Sequence, residues 1–190
     1  MTTLDDKAPG DDRANAHADA PAGIAIAVGR AEPADAAAVA ALSHAVHAMH
    51  AAALPEVFQR ADAPALAPAD IAREIERAGP LFLVARRDGD FAGYARAELQ
   101  DEPATALKRA SRLLHVHEMA VRPEHRGHGV GRALLGAMRA VAVERGARGV
   151  TLEVYAFNAE ARAFYAREGF APLRERLVAP VGDPGDAPAS

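Results

Sequence analysis

Three glycines at alternate positions, Gly127, Gly129 and Gly131, separate an apolar run, Leu113 to Val121, from an apolar-periodic stretch, Arg132 to Arg145. Glycine reaches backbone conformations closed to other residues and lets another group approach the main chain. The spacing therefore predicts a strand that curls sharply into a helix. Successive N–H groups then converge where the helix already presents free donors and the positive end of its dipole. Such a cradle suits a pyrophosphate, and Arg126 and Arg132 flank it with guanidinium groups that make charge-assisted contacts to phosphate. A purely structural strand-to-helix turn is the other reading of the same residues. Two nucleotide motifs are excluded. Counting G-x-G-x-x-G from Gly127 puts Arg132 where the third glycine belongs, and no G-K-[ST] follows.

The remaining elements follow from periodicity and punctuation. Gly23 to Val28 reads as a first strand, and Pro33-Ala34-Asp35 opens an Ala-rich helix that runs to about Ala53, before Pro55. A second helix spans about Pro68 to Ala78. Leu81 to Ala85 and Phe91 to Ala97 flank Arg87-Asp88-Gly89-Asp90, a hairpin signal. A polar insertion from about Gln100 to Ser111 leads into the Leu113 strand. After the glycine-rich helix, Val150 to Tyr155 reads as a strand, Ala159 to Glu168 as a helix with Asn158 as N-cap, and Phe170 to Val178 as a last strand. The order β-α-α-β-β-β-α-β-α-β is satisfied by a mixed α/β fold with helices on both faces of one sheet.

At 190 residues, half of them apolar and a quarter charged, the chain holds one sizeable core. Residues 23–179 are expected to form the one domain. Residues 1–22 and 180–190, rich in Ala, Asp, Gly and Pro, are expected to be flexible tails. With no cysteine, disulfide frameworks, thiolate nucleophiles and Cys-ligated metals are excluded. The tails carry most of the net charge of −4 and leave residues 23–179 near +1. No basic stripe points to nucleic acid. No secretory signal and no run of 18 apolar residues are read from the sequence, so a cytoplasmic location away from membranes is the expectation.

Two blocks together resemble the GNAT superfamily of N-acetyltransferases. The first is Arg126-Gly127-His128-Gly129-Val130-Gly131, matching R/Q-x-x-G-x-G/A after a strand that ends Met119-Ala120-Val121-Arg122-Pro123. The second is Asn158-Ala159-Glu160-Ala161-Arg162-Ala163-Phe164-Tyr165-Ala166-Arg167-Glu168-Gly169-Phe170, matching N-x-x-A-x-x-F-Y-x-x-x-G-F. The resemblance implies a mostly antiparallel sheet whose two central strands splay to hold acetyl-CoA. Pantetheine is then expected at the backbone of Met119, Ala120 and Val121, and the pyrophosphate on Arg126, Gly127, His128, Gly129, Val130, Gly131 and Arg132. Asn158 is expected beside pantetheine, or as a helix cap only. Tyr165 is expected beside the sulfur, or as a core aromatic. The first helix and the following loop form part of the acceptor site in this family, so the resemblance also implies that His47, His50 and Phe58 line it. A homodimer is an expectation from family habit.

Transfer of an acyl group to an amine needs a base for the ammonium proton and an acid for the leaving thiolate. His115 and His117 lie two apart on a strand and so share a face, and imidazole titrates near neutral pH. The local H-x-H pattern resembles that of serotonin N-acetyltransferase, which implies proton removal by these histidines and a tyrosine acid at Tyr165. Glu118 is the rival base. Simple alternation sends it to the opposite face, and a β-bulge would reverse that. The histidines read equally as plain cleft wall. His44, His47 and His50 recur every three residues on the first helix, a spacing that drifts around its axis, and no metal is expected. The expected activity is acetyl-CoA-dependent N-acetylation of a primary amine on a small molecule or peptide. A non-catalytic acetyl-CoA sensor or scaffold, or an enzyme using another acyl-CoA, is the alternative.

Overall fold

The computed structural model describes residues 25–62 and 66–179. The two expected tails, and Gly23 and Ile24 of the expected first strand, lie outside them. The elements in chain order are β1 (Ile26–Arg30), α1 (Ala36–Ala53), α2 (Pro68–Ala78), β2 (Phe82–Arg87), β3 (Asp90–Glu102), β4 (Ser111–Val121), α3 (Val130–Glu144), β5 (Val150–Leu152) and α4 (Ala159–Arg167). The five strands form one sheet in the order β1-β2-β3-β4-β5. Every pairing is antiparallel except β4 with β5. The α/β class and the mostly antiparallel sheet are as the sequence implies.

Alternation along β2 divides the core. Phe82 and Val84 join Val39, Leu42, Ile71, Ile75 and Tyr94 under α1 and α2. Leu83 and Ala85 join Leu114, Val116, Val130, Leu134 and Met138 under α3. A strand buried on both faces has no room for a polar side until its end, and β2 is buried through its first four residues. The helices keep their apolar residues four apart, Ile71 and Ile75 on α2, and Val130, Leu134 and Met138 on α3, which stacks them on one side. Pro33–Ala53, a turn plus α1, is long and apolar enough by composition to cross a membrane. In this fold its first half packs on the sheet and its second half carries the histidines.

Two strand expectations are corrected. Residues 171–179 form no strand, and Leu173, Leu177 and Val178 stand exposed. Strand-like composition needs a neighbouring edge to satisfy its backbone, and among the described residues this segment pairs with none. The strand expected over Val150 to Tyr155 stops at Leu152, because β4 and β5 pair only at Leu114 with Val150, His115 with Thr151 and Val116 with Leu152. The hairpin strands are longer than the sequence suggests, since β3 extends to Glu102 and β4 begins at Ser111. The insertion shrinks accordingly.

Candidate active site

Beyond Val116, β4 continues to Val121 with no partner on its β5 side. The parting of two parallel strands opens a cleft in an otherwise continuous sheet. Met119 and Val121 turn their side chains toward the α3 layer, while Ala120 is buried on the α1 side. The Val121 carbonyl accepts a hydrogen bond from Arg126 Nε at 3.3 Å.

The glycine loop leaves the end of β4 through a short turn, Pro123–His125, and enters α3. Gly129 is the N-cap residue of α3 at φ 85°, a left-handed conformation that a side chain pays for. It places no capping side chain over the first turn, so the helix's leading donors stay open to a ligand. Arg126, Gly127, His128 and Gly129 are exposed. His128 Nδ1 lies 2.7 Å from the Arg126 carbonyl, an internal brace of the loop. At Gly131 a Cβ would sit 3.1 Å from Phe164 Cζ, so glycine there lets α4 pack directly against α3. Val130 is buried in the core beneath the loop.

The two flanking arginines differ. Arg126 is half-exposed, and its nearest carboxylate is Glu160 at 3.8 Å. Arg132 donates to Glu168 at 2.9 Å, and that carboxylate is 9% exposed. Arg139 donates to the backbone carbonyl of the same residue. A buried carboxylate without its cation is costly, so Arg132 ties α3 to the end of α4. Asn158 caps α4, accepting from the Ala161 N–H at 3.1 Å through Oδ1, and its Nδ2 is left to donate elsewhere. Tyr165 packs between Phe164 and Phe170, and burial raises its phenol above the ordinary value.

On β4 the register with β3 skips one residue. Glu118 opposes Arg96 and Val116 opposes Ala97, leaving His117 without a partner. This bulge corrects the simple alternation that sent Glu118 away from the histidines. Glu118 Oε1 accepts from Ser43 of α1 at 3.1 Å, and Oε2 from Arg96 at 3.4 Å. Arg96 also pairs with Glu74 of α2. His115 and His117 lie together with ring centroids 4.9 Å apart. His115 Nδ1 is 3.2 Å from the Thr151 hydroxyl, and His117 Nε2 is 3.2 Å from Glu98. Burial, then the neighbouring His117, holds His115 below the ordinary imidazole value. Glu98 is held low by its bonds from Gln100 and then His117. Tyr94 is fully buried with its hydroxyl unpartnered among the described residues, and burial followed by the nearby Glu118 carboxylate keeps it protonated.

His50 and Phe58 stack at 5.1 Å, and His47 meets the same ring edge-on at 6.1 Å. Tyr155 and Phe157, in the connection from β5 to α4, complete the group. Burial lowers the His50 pKa. His44 is not part of these ring contacts. Among the described residues no three His, Asp or Glu side chains converge as a metal site.

Sequence reasoning missed Glu98, Arg96, Ser43 and Phe157. Glu98 reaches His117 only through the β3–β4 register, and Ser43 and Arg96 reach Glu118 only through tertiary packing. The hairpin signal at Asp88-Gly89 joins β2 to β3, and no local signal sets the β3–β4 register.

Residues 43–170 match the model of the acetyltransferase (GNAT) family. Streptothricin acetyltransferase of Streptomyces lavendulae is 38% identical over 90 residues, 47% of this chain and 43% of that protein. The chain thus spans less than half the length of that relative. Among solved structures, a mutant of the BH1408 protein from Bacillus halodurans superposes with a TM-score of 0.74 at 22% identity, covering 82% of this chain and 99% of that one. The aminoglycoside N-acetyltransferase AAC(6')-Iy in complex with CoA superposes at 0.59 with 16% identity, over 86% and 98%. At such identities the structures speak for the fold. With the family model covering the β4 block, the glycine loop and the α4 block, this chain belongs to the GNAT acetyltransferase family.

Proposed function

We propose that this protein is an acetyl-CoA-dependent N-acetyltransferase that transfers the acetyl group directly to a primary amine of a small molecule or peptide. The observation that carries this reading is the open cradle at the start of α3, exposed and uncapped, at the mouth of the cleft between β4 and β5. A left-handed glycine at the N-cap and an unhindered first turn fit a diphosphate. Arg126 and the free donors of Val130, Gly131 and Arg132 would hold it, the unpaired β4 edge at Met119 to Val121 would take pantetheine, and Asn158 Nδ2 would donate to it. When bound, acetyl-CoA supplies an acyl group activated as a thioester.

The protein's own part is proton management. An incoming ammonium must be deprotonated before its nitrogen can attack. His117 and His115 face the α1 side of the cleft, His115 kept neutral by burial and ready to accept a proton. Glu98 fixes the His117 ring by engaging Nε2. Both Glu118 oxygens are already engaged, which suits holding the cleft wall better than taking a proton. Tyr165, kept protonated by burial, can deliver a proton to the departing thiolate. The test is thiol release from acetyl-CoA against a panel of amines. Amine-dependent release supports the reading, and tight binding without release across the panel contradicts it.

A further inference from the structure

We infer that the two cleft histidines act as one proton acceptor, and that Glu98 of β3 is the positioning residue that places the proton on His117. This rests on the N-acetyltransferase reading above and deepens it by assigning the base within that site. The register sets Glu98 opposite His115, and His115 opposite Thr151, in one row across β3, β4 and β5. Opposed residues on neighbouring strands are the natural contacts of a sheet. Glu98 instead passes over the histidine facing it and meets His117 Nε2 at 3.2 Å. The bulge is the reason: His117 has no partner of its own on β3, and an unpaired bulge residue is where a strand re-aims a side chain. His115 engages the other end of the row, with Nδ1 3.2 Å from the Thr151 hydroxyl. The Glu98 side chain is 53% exposed, yet neither oxygen is left to water alone. Its Oε1 accepts from Gln100 at 2.9 Å and its Oε2 faces His117.

Rings with centroids 4.9 Å apart do not readily both carry a positive charge, because each charge disfavours the other. The pair therefore holds one proton, and its two sides are not equivalent. A carboxylate only accepts hydrogen bonds, so Nε2 of His117 carries a hydrogen and Nδ1 is the nitrogen left with a lone pair. A proton taken there makes an imidazolium that Glu98 faces directly in a charge-assisted hydrogen bond. Thr151 brings His115 no charge. Burial and then His117 hold His115 below the ordinary imidazole value, outweighing Glu153 and Glu98, which act in the other direction. In the transfer itself an ammonium N–H bond breaks, its electron pair stays on the substrate nitrogen as the attacking lone pair, and the proton goes to Nδ1 of His117.

Two measurements on the full chain test this in the wild type, Glu98→Gln and Thr151→Val. The first follows kcat and KM for thiol release from pH 6 to 9.5, with hexylamine and 1,4-diaminobutane as acceptors. Glu98→Gln is expected to lower kcat by about tenfold, to move the acidic limb of the kcat profile to lower pH, and to leave KM for acetyl-CoA as it is. The same change made in His117→Ala is expected to cost nothing further, and Thr151→Val to leave the acidic limb in place. An acidic limb that Glu98→Gln does not move, or a full Glu98→Gln loss in His117→Ala, overturns the inference while leaving acetyl transfer intact. The second is an NMR pH titration of the histidine rings in the cofactor-free protein, assigned with His115→Gln and His117→Gln. As pH falls, His117 is expected to charge before His115, and Glu98→Gln to bring the two midpoints closer by about one pH unit. His115 charging first, or a gap that Glu98→Gln leaves unchanged, overturns it. If neither amine releases thiol, acetyl transfer fails and the titration alone decides where the proton sits.

Discussion

The two ends of the cleft are built from different materials. At the α3 end the candidate site is mostly main chain: a left-handed glycine, an uncapped helix start and one half-exposed arginine. At the α1 end it is all side chains, drawn from α1, the loop after it, β3, β4 and the connection following β5. Backbone sites fail when a Cβ is added in the wrong conformation. Side-chain sites fail one function at a time, and their parts answer to pH.

The largest effect is expected at the backbone end. Gly129→Val forces a β-branched residue to φ 85°, with its Cβ 3.6 Å from Ile26 Cδ1, so the loop must leave its cradle conformation and acetyl-CoA affinity measured by calorimetry should fall by about 100-fold or more. Unchanged affinity would break the contrast. At the other end, His117→Ala should lower kcat/KM by about 100-fold, more at pH 6.5 than at pH 9, where more of the acceptor amine is already neutral. Acetyl-CoA affinity should hold. A loss uniform across pH would make His117 a wall of the cleft instead of a base.

The arginines sharpen the comparison within the loop. Arg132→Ala leaves the nearly buried Glu168 without its cation and should lower the melting temperature by about 2–4 °C, following from about 1 kcal/mol. Arg126→Ala, at a half-exposed pair, should leave melting within about 1 °C and weaken CoA binding several-fold. The reverse assignment of the two phenotypes would put Arg132 on the phosphates.

The smallest effect concerns acid. His50 and His115 are both held below the ordinary imidazole value of 6.5, chiefly by burial. A lowered folded pKa means the unfolded chain binds more protons, so stability is full above pH 6.5 and is lost as pH falls through the lowered values. Melting curves from pH 7.5 to 5 should show this decline, and His50→Gln with His115→Gln should flatten it.

The same contrast explains what could be read from the sequence. The cradle lies within seven consecutive residues, and its demand for glycine is written in the residue types themselves. The α4 cap at Asn158 and the helices with apolar residues four apart were equally local. The bulge at His117 was not, because it depends on the β3–β4 register, and with it went the face of Glu118 and the pairing with Glu98. Leu173 to Val178 has strand composition, yet a strand exists only where an edge receives it. The ring cluster needed the loop at Phe58 to fold back over α1 toward Tyr155, a contact spanning nearly a hundred residues.

The most direct test of the central claim is calorimetric titration of acetyl-CoA into the wild-type chain and into Gly129→Val, with NADH as the control ligand. The account predicts acetyl-CoA binding to the wild type, no NADH binding, and loss of acetyl-CoA binding in the variant while its fold persists by circular dichroism. A wild-type chain that does not bind acetyl-CoA, or a variant that binds it equally well, would contradict the assignment of the glycine loop.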